Sequence, residues 1–175
     1  MNNLYRELAP ISNAAWAQIE AEARRTFTRN IAGRRVVDLV GPDGPTLSAV
    51  GTGHLRPLNP PSDGVFACQR EVQPVVELRV PFAVTRRAVD DVERGAQDSD
   101  WQPVKDAAKR IAFAEDHAIF HGFTAAGIAG IVPGSSNPTL QFPSDVREFP
   151  DAVARALSAL RLAGVDGPYS LLLSA

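Results

Sequence analysis

Trp16, Ile19, Ala23 and Phe27 recur at spacings of three and four, which predicts a helix with one covered face. Ser12 and Asn13 stand in front of it as N-caps, and Gly33 is the stop signal. Its other face holds Glu20, Glu22, Arg24, Arg25 and Arg29, a mixed-sign surface that suits water better than a lipid headgroup layer. The longest helical stripe is Val104, Ala107, Ala108, Ile111, Ala114 and Ala118. Asp98-Ser99-Asp100 caps its start, Pro103 sits in the first turn where its missing N–H costs little, and Gly122 ends it. Residues 101–121 then form a rod of roughly 31 Å. After a Gly/Ala/Ser-rich stretch, Thr124–Pro138, a third pattern between about Arg147 and Ala163 turns Phe149, Val153, Leu157 and Leu160 inward and stops at Gly164.

Between the first two helices the period changes. The turn-rich breaks Gly41–Pro45 (GPDGP) and Asn59–Gly64 (NPPSDG) bracket extended segments and predict a long hairpin. Its first arm, Thr46–Leu58, is poor in large apolar residues and contains Gly51 and Gly53. The second arm sharpens into alternation, with Val76, Leu78, Val80 and Phe82 on one face and Glu77, Arg79 and Pro81 on the other, which predicts a half-buried strand. An isolated two-stranded hairpin is marginal in water, so this one is expected to dock on another subunit. Gly167-Pro168 then opens Tyr169–Leu173, which reads as a buried strand followed by two residues, and the expectation is that further polypeptide is absent from this chain.

Composition narrows the function classes. The 175 residues carry 18 Lys plus Arg against 20 Asp plus Glu, a net charge of −2, which lacks the basic surplus of a nucleic-acid binder. Apolar residues make up 45%, enough for a core, and no run approaches the roughly 20 needed for a membrane helix. A single cysteine, Cys68, cannot form an internal disulfide, and the start MNNLYRELAP has no signal-peptide run, so a reducing cytosol is expected.

Candidate chemistry is sparse. His117 and His121, at i and i+4, share a helix face as two zinc ligands would, but His-Glu-x-x-His is not spelled and the third histidine, His54, lies in the hairpin. No metal site is expected. Gly51-Thr52-Gly53-His54-Leu55-Arg56 lacks the third glycine and the helix of a dinucleotide loop, and no Gly-x-Ser-x-Gly elbow occurs. The carboxylate pairs Asp90-Asp91 and Glu115-Asp116, adjacent in sequence, are expected to point apart and to serve as caps and ion pairs. Read from its residues, the chain is a structural or interaction protein, with no cofactor.

Several phrases occur in order that resemble one family: NNLYRELAP (Asn2–Pro10), AGRRVVD (Ala32–Asp38), DDVERG (Asp90–Gly95), DSDWQPVKDAAKRIAFAED (Asp98–Asp116) and AGVDGPYSLLLSA (Ala163–Ala175). The chain resembles an encapsulin of the linocin-like type, family 1, a bacterial nanocompartment shell protein. The resemblance implies an α+β chain with the fold of tailed-bacteriophage major capsid proteins. Residues 1–45 would be the N-terminal helix and arm of a peripheral domain, 46–80 the extended loop, 81–129 the rest of the peripheral domain with the spine helix, and 130–175 the start of an axial domain left incomplete. It further implies a non-enzymatic subunit that self-assembles into a T=1 icosahedral cage of about sixty copies. The cage would enclose a cargo enzyme, a dye-decolorising peroxidase or a ferritin-like iron-storage protein, held by a C-terminal targeting peptide.

In such proteins the peptide lies against the N-terminal helix and the segment after it, which matches Phe27, Ile31, Arg34 and Asp38 here. An apolar groove would take its aliphatic residues, with Arg34 and Asp38 fixing its direction; core packing and a local Arg–Asp pair are the plain alternatives. Where some relatives stack a flavin on tryptophan, this chain has Thr85-Arg86-Arg87, so no flavin is expected. Relatives continue for roughly another third of the chain, and a separate polypeptide carrying that part is the favoured expectation over a cleaved subunit or truncated gene. A phage-type capsid enclosing nucleic acid and a hydrolase or bacteriocin-like enzyme remain the alternative readings.

Overall fold

The computed structural model describes residues 5–173, which divide into two compact units, one running to Gly130 and one from Ile131. Asn2–Leu4 of the first motif, and Ser174 and Ala175 of the last, lie outside the described residues.

The first unit is built on helices. Helix α1 spans Asn13–Asn30, with the Ser12 hydroxyl accepting the Ala15 N–H at 3.2 Å, so the cap falls where expected. It ends three residues before Gly33, with Ile31 as the cap and a 3-10 turn at Gly33–Arg35. Strands β1 (Ala49–Leu58) and β2 (Ala67–Pro74) pair antiparallel, with a register irregularity between Gly51 and Leu55. Helix α2 (Arg86–Glu93) is capped by the Thr85 hydroxyl, which accepts the Ala88 N–H at 3.2 Å. It is too short to show a helical repeat, yet Ala88, Val89 and Val92 are buried. Helix α3 (Gln102–His121) is the expected long rod. Its N-cap residue is Trp101, and from the expected cluster Asp100 accepts the Gln102 N–H at 3.0 Å.

The core lies where these three helices meet, formed by Ala15 and Ile19 of α1, Ala88, Val89 and Val92 of α2, and Trp101 with Val104 at the head of α3. Small side chains at the contact let the helices approach closely, and Val104 is 1% exposed. The indole N–H of Trp101 donates to Gln18 Oε1 at 3.0 Å, so the ring is buried with its polar atom satisfied. Along α3 the buried stripe is Val104, Ala107, Ala108 and Ala112, whereas Ala114, placed inward by spacing, is exposed.

The hairpin is present, but its second arm ends at Pro74. Residues 75–85 run without a ladder, and Val76, Leu78 and Phe82 are 37–46% exposed. The strand expected at Val76–Phe82 is thus corrected: the alternation is real, but among the described residues no neighbouring strand offers it hydrogen bonds. At its base Gln73 Nε2 donates to Ala126 O at 3.0 Å, and otherwise, among the described residues, the ribbon makes no extensive contact with any helix.

In the second unit, a short helix α4 (Ile131–Gly134) and a 3-10 turn (Val146–Glu148) precede α5 (Phe149–Leu162), which ends before Gly164 at φ +78°. Phe142 packs on Phe149 at 4.5 Å between ring centroids, and Ala152 is the only buried residue described there. The buried strand expected at Tyr169–Leu173 is absent: Leu171 and Leu173 are 62% and 71% exposed, again with no strand beside them. Among the described residues, no helix is long and apolar enough to cross a membrane.

Candidate functional site

The end of α1 and the turn after it are held by α3. At Gly33 the backbone comes so close to α3 that an added Cβ would lie 2.5 Å from Ile119 Cδ1 and 3.0 Å from Asp116 Oδ1, so any larger residue would have to push these side chains aside. The Asp116 carboxylate accepts the N–H of Ala32 at 2.9 Å and of Gly33 at 2.7 Å, groups left without helical partners as α1 ends. Glu115, one residue earlier, accepts two bonds from Arg34, from Nε at 2.5 Å and Nη2 at 2.8 Å. The adjacent carboxylates thus serve as a cap and an ion pair, as expected, and both do so on residues 32–34.

Arg34 in turn lies over the Phe27 ring, its guanidinium carbon 4.9 Å from the centroid. Its hydrogen bonds to Glu115 push its pKa further above the ordinary arginine value, against the opposing effect of partial burial. Of the four residues expected to contact a peptide, Phe27 and Arg34 are thus brought together. Ile31 is 5% exposed and belongs to the packing, and Asp38 stands exposed. Arg34 pairs with Glu115 rather than locally with Asp38.

Phe27 also borders an open apolar groove of about 310 Å³ between α1 and α3, lined by Ala23, Phe27, Ala107 and Ile111 and flanked by Val80 and Phe82 of the unpaired segment. Arg24 is the charged residue on its wall. Sequence reasoning missed the contribution of Val80 and Phe82. Their alternation was the available signal; it marks a face in contact with apolar surface without saying that the backbone is paired.

His117 and His121 face each other at 5.0 Å between ring centroids on the exposed last turns of α3. Among the described residues, no group of three or more His, Cys, Asp or Glu side chains is placed to hold a metal ion. Thr85 caps α2, and Arg86 and Arg87 reach Asp90 and Asp91 at 3.6 and 3.9 Å. Cys68 is exposed on β2.

Comparison with known proteins gives a consistent result. The chain is 63% identical over 175 residues to a type 1 encapsulin shell protein of Rhodococcus erythropolis, covering all of this chain and 66% of that one. Similar proteins of the same description occur in Brevibacterium linens, 66% identical over 174 residues (99% of this chain, 65% of that one), and in Mycobacterium tuberculosis, 61% identical over 175 residues (100% and 66%). The chain thus spans about two-thirds of the length of these relatives, which are named for a shell. The family Linocin_M18, described as encapsulating protein for peroxidase, matches residues 1–175. This chain belongs to that encapsulin family.

Proposed function

We propose that the chain is a shell subunit of an encapsulin nanocompartment, with the α+β fold of tailed-phage capsid proteins, that assembles with copies of itself into an icosahedral cage, T=1 with about sixty subunits. One observation carries this reading. Among the described residues, the β1–β2 ribbon makes no extensive contact with a helix of its own subunit, while Leu55 and Val72 are 61% and 53% exposed and Phe66, between the strands, is 99% exposed. A two-stranded ribbon with this much apolar surface needs a surface outside its own subunit. Residues 46–80 are the extended loop, α3 the spine helix within 81–129, and residues from 130 onward the start of the axial domain.

Inside the cage, the surface at Phe27 and Arg34, with the adjoining groove, receives the C-terminal targeting peptide of a cargo enzyme, a dye-decolorising peroxidase or a ferritin-like iron-storage protein. The groove takes aliphatic side chains, Arg34 offers its remaining N–H groups, and Asp38 is open to a charge-assisted bond. Ile31 is buried at the C-terminal end of α1. The compartment lies in the cytoplasm and handles oxidative stress or iron through its cargo.

The test is negative-stain microscopy of purified particles, with mass spectrometry of every co-purifying chain. Closed cages holding a peroxidase or ferritin-like protein are expected, and Arg34→Ala should lower the cargo content while the cages persist. A monomer in the presence of all co-purifying chains overturns the reading; cages filled with nucleic acid replace the cargo part of it.

A further inference from the structure

The ladder register sorts the ribbon into two unlike faces. Residues paired across an antiparallel ladder share a face, and successive residues alternate. The pairs Gly51 with Val72, Leu55 with Arg70 and Pro57 with Cys68 lie on one face, and Val50 with Gln73, Arg56 with Gln69 and Leu58 with Ala67 on the other. Between Gly51 and Leu55, β1 advances four residues while β2 advances two, so the irregularity leaves the sidedness unchanged. The first face therefore presents Leu55, Pro57, Cys68 and Val72, with Arg70 its one charged residue among the pairs. The second carries Gln69, Glu71, Gln73 and Arg56 beside Val50 and Leu58, and Arg56 Nη2 donates to Gln69 Oε1 across the strands at 2.5 Å.

We infer that the face bearing Leu55, Cys68 and Val72 is the one that lies on a neighbouring copy of this chain, with the Arg56–Gln69 face turned to solvent. This rests on the shell reading above and adds the orientation of the contact. The area argues for a second copy as the occupant. At about 3.3 Å per residue and two strands about 4.8 Å apart, the ribbon covers roughly 33 Å by 10 Å, a footprint of about 330 Å² against the roughly 800 Å² each partner contributes to a stable pair. One such contact is too small to hold a lone partner. Copies of the chain repeat it, since every subunit both lays down a ribbon and receives one, and closure of such head-to-tail contacts adds them together.

Cys68 reports on this face, being exposed in the single chain and the only cysteine of its 175 residues. Assembled and dissociated particles would be treated with a maleimide and the label mapped to Cys68 by mass spectrometry, alongside light scattering of Val72→Asp and Gln69→Asp. The expected result is labelling slower by roughly tenfold or more in the assembled form, as a buried thiol requires. Val72→Asp should stay dissociated with unchanged helical circular dichroism, while Gln69→Asp assembles. Assembled particles whose Cys68 labels as fast as the dissociated chain, or Gln69→Asp blocking assembly as fully as Val72→Asp, would overturn the orientation and leave the shell reading standing. A parent chain that never assembles overturns both.

Discussion

The Asp116 carboxylate on α3 accepts the backbone N–H of Gly33 at 2.7 Å, 83 residues away in sequence, and so fixes where the chain goes when α1 ends. The same carboxylate takes the Ala32 N–H, and Glu115 beside it takes Arg34, so three consecutive residues of the turn are tied to one turn of α3.

Removing that acceptor leaves two part-buried N–H groups unmatched. Asp116→Ala should therefore destabilise the chain by about 1–3 kcal/mol, and Asp116→Asn by less because its amide oxygen still accepts. Chemical denaturation of the three proteins checks the order. Glu115→Ala serves as the contrast: its partner Arg34 is half-exposed, and the loss should stay near 1 kcal/mol or below.

The end of α3 turns back through two glycines in close backbone contact. A Cβ on Gly130 would sit 2.3 Å from Gly122 N and 2.4 Å from His121 C, atoms that cannot swing away as a side-chain tip can. Gly122 itself has φ +85° and meets Ile128 O in the same way. Gly130→Ala should cost more than about 2 kcal/mol or open the Phe123–Ile128 bridge, whereas Gly134→Ala, with nothing near its added methyl, should be close to neutral. Thermal unfolding of the two variants separates these outcomes.

Acid should weaken α1 through Glu22. Burial alone would raise the pKa of this carboxyl, but hydrogen bonds from Arg25 (2.7 Å) and Thr26 (2.9 Å) outweigh it and hold the value below the usual carboxylate range. A lowered folded-state value means the contribution is fully present above the unfolded value and is lost as pH falls through the folded one. The melting-temperature gap between the parent chain and Glu22→Gln should hold near neutral pH and close progressively below the carboxylate range. A gap independent of pH would place the effect elsewhere than on the charge.

Much of this fold was legible in the residues, for identifiable reasons. Helices α1 and α3 are long enough for the spacings of Ile19 or Val104 to repeat, and Ser12 caps where a hydroxyl before an apolar period should. Helix α2, eight residues long, offers barely two turns of pattern and was not visible. The segments at Val76–Phe82 and Tyr169–Leu173 carry strand-like composition, but a strand also needs a neighbour, and pairing is a property of the surroundings rather than of the segment. At the candidate site, motif resemblance pointed to Phe27, Ile31, Arg34 and Asp38, of which the structure brings Phe27 and Arg34 into contact. The contributions of Glu115 and Asp116 were not legible, because nothing local signals a contact across more than 80 residues.

The central claim is that the β1–β2 ribbon gains its order from other copies, and hydrogen–deuterium exchange resolved to residues 49–74 tests it most directly. In dilute, dissociated protein these amides should exchange orders of magnitude faster than those of α3, and in assembled particles they should become protected to a similar degree. Ribbon amides as protected as those of α3 in the lone subunit, or left unprotected after assembly, would contradict the account.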